Sequence, residues 1–380
     1  MPFAKPESLP KAVKDPLPTT RRPAMVPTVD TKSTLYPKIT NYIAEIVQGL
    51  QHLNHDPENP EKEVILDPIP IFGTVKLHGT HADIVIYNDD HIVFQSRNVA
   101  GLSATRDNQG FATAMSKKGK NLLRLRDLYL ARWTHLNPNA TIDALHPVVI
   151  AGEWIGEKIQ KDVAIAQLSK RFVIISVNIN GQWQNDTCFS GISLPNHDIY
   201  NISRAGRFSA TLYPEDIQRT ISEVEPLAEQ VASQCPFAET FGVKGEGEGL
   251  VWKLAPPQYN SNTSLWFKTK SGKFKPTFAQ PPKKVKSFDT VEEKRKEAAS
   301  VAQVWCSEQR LEQGWDVLRE KGIEHNMRGL SDYLKWVQHD VLVEEKGHIQ
   351  QYNIDEGALK IEIAKIAKPW YVGRLHFGVN

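Results

Sequence analysis

The sequence around Lys76 runs Phe72-Gly73-Thr74-Val75-Lys76-Leu77-His78-Gly79-Thr80-His81-Ala82-Asp83-Ile84-Val85-Ile86. Apolar residues alternate at Val75 and Leu77 and again at Ile84 and Ile86, which reads as two strands joined by a tight link at Gly79. Lys76 falls between Val75 and Leu77, so its side chain points where theirs do not. Gly79 lets the backbone come close to whatever the lysine touches. A lysine is a nucleophile only when deprotonated, which takes desolvation or neighbouring cations. Lys-x-x-Gly is a common pattern, so its meaning depends on the partners that follow it in the chain.

With 380 residues the chain has room for two or three domains and a sizeable core. Apolar residues make up 40% and charged residues 24%, an ordinary globular balance. The net charge of +2 excludes a global polyanion-binding signature, so any nucleic-acid surface is a local patch. Cys188, Cys235 and Cys306 are far apart and form no Cys-x-x-Cys pair. That argues against a zinc site and for a reducing, intracellular compartment: cytoplasm, nucleus or mitochondrion. No apolar run reaches the roughly 18 residues that a membrane span needs.

Residues 1–38 hold eight prolines, among them Pro2, Pro23 and Pro37. They contain no apolar core of a secretory signal, and the prolines oppose the amphipathic helix of a transit peptide. An extended or disordered arm is the expectation. Thr40 is a candidate cap for a helix over about 41–53, with Ile43, Ile46, Val47, Leu50 and Leu53 on one face. Strands are expected at about 71–78, 82–88, 91–96, 147–154, 171–179, 249–254 and 264–270, and helices at about 117–133 and 214–234. Lys117, Lys118, Lys120, Arg124 and Arg126 near the start of the first of these helices fit a solvated face, or less simply a phosphate site. Strands with helices inserted between them imply an α+β domain on antiparallel sheets over 39–280. A Pro- and Lys-rich boundary follows, and a helical C-terminal domain over 285–380, with helical patterns at about 290–320, 330–344 and 356–367. Val301, Val304, Trp305, Leu311, Trp315 and Leu318 suggest an amphipathic helix pair within it.

Five short elements follow Lys76. Ser96-Arg97 ends one strand and Gly152-Glu153-Trp154 another. Phe172 opens an apolar strand, and Glu248 sits between Gly247 and Gly249 on a turn into Leu250-Val251-Trp252-Lys253. Lys268 and Lys270 stand at i and i+2 of a strand, hence on one face. Each has a plain structural alternative. Glu153 fits a turn carboxylate, Phe172 a core residue, Gly247 and Gly249 a hairpin, and the two lysines the wet side of an edge strand. Their order and chemistry together fit one reaction.

The set resembles the covalent nucleotidyltransferase superfamily of polynucleotide ligases and capping enzymes. Within it the chain is similar to the ATP-dependent RNA ligases related to phage T4 RNA ligase 2 and the trypanosome editing ligases. Lys76-Leu77-His78-Gly79-Thr80 and Phe267-Lys268-Thr269-Lys270-Ser271 carry the resemblance, which covers about residues 65–275. It implies an antiparallel-sheet adenylation domain with a C-terminal helical domain. It implies that Lys76 becomes adenylylated, that His78 assists, and that Gly79 and Arg97 contact the nucleotide or a terminal phosphate. Glu153 is expected on the ribose or a metal water, Phe172 stacked on adenine, Glu248 on the metal, and Lys268 and Lys270 on the α-phosphate. ATP, Mg2+ or Mn2+, and RNA with 5′-phosphate and 3′-hydroxyl ends are the implied partners, with no membrane and a monomer favoured. Three departures stand out: His81 where the family often has asparagine, Ser176 where aspartate is common, and a second carboxylate, Glu246, beside Glu248.

This residue set suits attack on a phosphate, where catalysis is mostly positioning and charge neutralisation. Cations at Lys268 and Lys270 and a metal on Glu248 and Glu153 would offset charge on the attacked phosphate and the leaving pyrophosphate. No pattern of many short strands of an oligonucleotide-binding barrel is visible in the C-terminal part, which favours RNA ligation. The alternatives are a DNA ligase or an mRNA guanylyltransferase of the same superfamily, or a non-catalytic RNA-binding relative.

Overall fold

The computed structural model describes residues 34–56, 64–272 and 291–377. After α1 (Ile43–Asn54) the chain enters β1 (Ile69–Lys76), β2 (Thr80–Ile86), β3 (Ile92–Ser96) and β4 (Ala100–Leu102). Two helices follow, α2 (Phe111–Ser116) and α3 (Gly119–Leu136), then β5 (Val148–Ile155), β6 (Arg171–Ile179), β7 (Gln182–Trp183), β8 (Ile199–Asn201) and β9 (Phe208–Leu212). The region closes with α4 (Ile217–Ser233), α5 (Pro236–Glu239), β10 (Gly249–Leu254), α6 (Pro257–Asn260) and β11 (Phe267–Lys270).

The strands form two sheets. A four-stranded antiparallel sheet has the order β11-β10-β1-β9. A seven-stranded sheet runs β4-β3-β2-β5-β6-β7, with β8 added in parallel beside β6. The strands on either side of Gly79 are therefore not partners: β1 belongs to the first sheet and β2 to the second, and residues 77–79 carry the chain between them. Alternation sets the faces of β1. Ile69, Ile71 and Val75 turn into a core shared with α1 and α4, and Thr74 and Lys76 turn the other way. On the seven-stranded sheet, Ile84, Ile150, Phe172 and Ile174 pack with Leu122, Leu125, Tyr129 and Trp133 of α3 in a second core.

Among the described residues five helices make the C-terminal region: α7 (Val291–Trp305), α8 (Glu308–Glu320), α9 (Leu330–Glu344), α10 (Lys346–Gln351) and α11 (Glu356–Phe377). The helical pattern expected at 290–320 divides at Ser307, whose Oγ accepts from Arg310 N and starts α8. Ala298, Val301, Leu311, Leu318, Tyr333, Val337, Leu359 and Ile363 form its core. The molecule is thus α+β, with antiparallel sheets and a helical C-terminal region.

Three expectations are corrected. Thr40 does not cap α1; Tyr42 is the flanking residue, and Thr40 Oγ1 accepts from Tyr42 N one step earlier, at 3.0 Å. Leu128 leaves the α3 stripe and is exposed, because a 3.6-residue period carries it past the buried face. Residues 34–38, read as the end of the arm, are packed: Tyr36 is 6% exposed against Trp183 and Trp266. The rest of the arm, the 275–282 boundary and the lysines from Lys273 to Lys286 lie outside the described residues. Cys188, Cys235 and Cys306 are free thiols. Among the described residues no helix is long and apolar enough to cross a membrane.

Candidate active site

Three neighbouring strands of the four-stranded sheet put their charges in two rows. Lys76 lies opposite Gly249, and Gly249 opposite Lys270. One step along, Thr74 lies opposite Val251 and Val251 opposite Lys268. Period two then aims Lys76, Val251, Lys253, Lys268 and Lys270 into one cleft of about 770 Å3. The same-face reading of Lys268 and Lys270 agrees with this register. Gly249 admits no side chain, since a Cβ there would fall 2.0 Å from the Thr269 carbonyl oxygen. That contact draws β11 against the residue after Glu248.

Glu248 is the hub. Lys76 Nζ donates to its Oε2 at 2.7 Å, Lys270 Nζ is 3.0 Å from its Oε1, and His78 Nδ1 is 3.5 Å from Oε2. Glu248 is 1% exposed. Burial opposes its charge, but Lys76 and Lys270, with His78, outweigh burial and hold the carboxyl well below the usual carboxylate range. Glu246 is exposed, so Glu248 is the carboxylate of the cleft.

The seven-stranded sheet supplies the facing wall. Gly79 N donates to Glu153 Oε1 at 3.1 Å, and a Cβ on Gly79 would meet the Trp154 carbonyl oxygen at 2.5 Å. Glycine is what lets this crossing lie against β5. Burial pushes Glu153 up to about 7, with Glu248 adding to the rise and Lys76 opposing it. Arg97 is held by the packed N-terminal segment: its Nη1 donates to the carbonyls of Tyr36 at 2.7 Å and Pro37 at 3.2 Å. His81 and Asn108 also line the cleft.

Phe172 is not in the cleft, contrary to the sequence expectation. It is fully buried against Phe111 on the far face of β6, 5.6 Å between ring centres. The register between β5 and β6 shifts at Ala151/Gly152, and Ile175, the β6 residue passed over by the pairing there, lines the cleft. Ser176, beside it, accepts from Lys253 Nζ at 2.7 Å and donates to Asp186 at 3.0 Å. Lys253 also pairs with Asp186 at 2.5 Å and lies 3.5 Å from the centre of the Trp266 ring. Asp186, ten residues on, thus supplies the carboxylate beside Ser176 and Lys253. Lys253 was legible, two steps of period two beyond Gly249; Asp186, on a separate loop, was not. Lys118 and Arg126 of the α3 cluster pair with Asp198 and Asp90, outside the cleft.

Residues 69–270, just over half of the chain, match the family model described as RNA ligase. This chain belongs to the RNA ligase family. Among solved structures it is similar to a Naegleria gruberi RNA ligase mutant with AMP and Mn, at 15% identity and a TM-score of 0.38, over 63% of this chain and 56% of that one. A second mutant of that ligase, with ATP and Mn, is 16% identical with a TM-score of 0.36, over 63% and 58%. The same organism's ligase with PPi is 15% identical with a TM-score of 0.37, over 63% and 57%. The chain thus spans a little over half the length of these structures. No curated protein matches it in sequence.

The sheets offer a cation two carboxylates, Glu248 and Glu153. Among the described residues no group of three or more His, Cys, Asp or Glu is set to hold a metal ion. That donor set suits an ion that keeps its waters and arrives with a phosphate rather than one held in a protein cage.

Proposed function

We propose that this chain is an ATP-dependent RNA ligase of the group related to phage T4 RNA ligase 2. It joins 5′-phosphate and 3′-hydroxyl RNA ends through a lysyl-AMP intermediate on Lys76. The observation that carries this reading is the shared carboxylate: Lys76 and Lys270 meet on Glu248 at 2.7 and 3.0 Å. Lys268 stands one register step away in the same cleft. A binding module needs no half-buried lysine set beside further cations on a shared carboxylate.

In the first step Lys76 Nζ, having released a proton, attacks the α-phosphorus of ATP. The N–P bond forms as the P–O bond to pyrophosphate breaks. Lys268 and Lys270 neutralise charge on the phosphate, and His78 steadies Glu248 as Lys76 leaves it. A divalent ion on Glu248, with Glu153 nearby, would supply further charge neutralisation at the phosphates. Glu153, pushed up to about 7, can carry a proton near neutral pH and in that form donate to a ribose hydroxyl. With Phe172 in the core, Ile175 and Val251 are apolar faces available to the base. In the second step an oxygen of the RNA 5′-phosphate attacks the lysyl-AMP phosphorus, and the N–P bond breaks. In the third a 3′-hydroxyl attacks the activated 5′-phosphate, giving up its proton, and AMP leaves. Arg97 is the cation placed for the terminal phosphate. Residues 39–280 would be the adenylation domain and 285–380 a helical domain that engages the RNA.

Incubation with magnesium and ATP or GTP labelled at the α-phosphate, followed by a denaturing gel, tests the reading. Label is expected on the protein from ATP and none on Lys76→Ala. Label from GTP moves the reading to capping. No label from either nucleotide overturns it.

A further inference from the structure

The cleft has a wall that the two sheets do not supply. The helical region lines it with Asp316, Glu320, Asp340, Glu344 and Glu345. Several contacts run from an acid on this region to a polar group of the rest of the chain. Ser96 Oγ donates to Glu320 at 2.6 Å and Gln109 Nε2 to Asp316 at 2.8 Å. Glu344 reaches furthest into the candidate machinery. Lys268 Nζ donates to its Oε2 at 2.8 Å, and Lys38 Nζ lies 3.3 Å from its Oε1 and 3.3 Å from Asp340.

Of the acids on α9 and at its C-terminal end, Asp340 bridges Arg310 and Lys38, Glu345 pairs with Arg310, and Glu344 pairs with Lys268 and Lys38. Arg310, of the same helical region, bonds Asp340 at 3.0 Å, Glu345 at 3.1 Å and the Trp305 carbonyl at 2.7 Å. Those bonds hold the helical region to itself. The ion-pair partners of Glu344, Lys268 and Lys38, both lie outside that region. Its charge acts as a latch across the cleft. Lys268 is 7% exposed beneath it, so the pair is not a loose surface contact. Burial disfavours the charge on Lys268 and brings it down to about 8, against the pull of Glu344. Burial also opposes the charge on Glu344, but Lys268 and Lys38 hold it below the usual carboxylate range.

We propose that Glu344 is an anionic plug, occupying the cation Lys268 that a nucleotide phosphate needs, so that ATP enters only by displacing Glu344 and lifting α9 from the sheet. The inference rests on the reading of Lys268 as a phosphate-binding cation and deepens it. A carboxylate carries one negative charge and a triphosphate several, so the incoming anion has the stronger claim on the same lysine. The acid-lined wall also repels an RNA backbone while it is closed. Nucleotide binding therefore comes first, and opening uncovers the cations for RNA.

ATP binding to Lys76→Ala, which forms no covalent adduct, is measured by calorimetry beside the double variant Lys76→Ala/Glu344→Gln. The double variant is expected to bind about tenfold more tightly, since the binding-competent open state no longer has to be won from Glu344. Adding Lys38→Met instead loosens the latch from its other end and should shift binding in the same direction by less. In the wild type, ATP should speed hydrogen exchange of the Leu330–Glu344 amides. Unchanged or weaker ATP binding with Glu344→Gln, or exchange unmoved by ATP, overturns the plug. If the wild type takes up label but Glu344→Gln binds ATP no better, only the plug fails. If no label forms while Glu344→Gln still tightens ATP binding, the ligase reading fails and the plug stands.

Discussion

Glu248 and Glu153 face one cleft from two antiparallel sheets, and their proton affinities shift in opposite directions. Glu248 is the more deeply enclosed, 1% exposed, yet it is the one held ionised. Glu153 is partly open to the cleft and is pushed up to about 7. Depth of burial does not sort them; the neighbouring strands do. In the four-stranded sheet, period two sends Lys76, Lys268 and Lys270 to one face, and two of these cations close on Glu248. In the seven-stranded sheet, Glu153 on β5 lies opposite Val173 of β6 and His81 of β2, and its Oε1 accepts from the neutral amide of Gly79. The lesson is that one sheet concentrates charge at the cleft and the other dilutes it.

The largest effect is expected where charge is concentrated. Glu248→Gln leaves Lys76 and Lys270 facing each other with no counter-charge. Removing one partner of a buried ion pair costs about 3–5 kcal/mol. Denaturant unfolding should show that loss for Glu248→Gln, and label uptake from ATP should vanish. Lys76→Ala should abolish label equally yet cost less stability, because Lys270 still satisfies the carboxylate. If both variants lose the same stability, Glu248 is not the hub that the geometry makes it.

The next effect separates core from site within the seven-stranded sheet. Phe172→Ala removes a ring packed with Phe111 and Trp154 in the second core. It should cost about 3–5 kcal/mol of unfolding free energy. ATP affinity of the folded variant should be unchanged, whereas a base-stacking role would weaken it at least tenfold.

That residue also marks where the sequence stops being readable. Local periods carried much of the fold: the outward aim of Lys76, the shared face of Lys268 and Lys270, and the helices α1, α4 and α9. The order of motifs singles out Lys76, Glu153, Glu248, Lys268 and Lys270 together, and all five line the one cleft. What failed was phase and distance. The register shift facing β6 moves the buried series from Phe172 and Ile174 to Val177 and Ile179, and nothing in Ile174-Ile175-Ser176 announces it. The chain crosses between sheets at Gly79, although its pattern suits a simple link within one. Lys38 and Glu344 meet only because the fold closes, and neither sits in a local pattern that points to the other.

The smallest effect tests the dilute sheet by pH. Glu153 binds its proton more tightly in the folded chain than in the unfolded one, about 7 against an ordinary 4.5. Between those values the folded state carries the extra proton, so this carboxyl's contribution falls as pH rises from about 4.5 to 7 and stays lost above. One pH unit is worth about 1.4 kcal/mol, which caps the loss at about 3 kcal/mol. The cleft water that reaches Glu153 reduces it further. Glu153→Gln keeps an oxygen for Gly79 N and removes the titration. Relative to the wild type it should gain stability between pH 5 and 8, by about 1–2 kcal/mol in denaturant midpoints. Glu248 runs the other way: its stabilisation is present at neutral pH and fades as acid protonates it, so Glu248→Gln should draw closer to the wild type on acidification. Parallel pH profiles for the two substitutions would erase the contrast between the sheets; profiles of opposite slope would fix it to these two side chains.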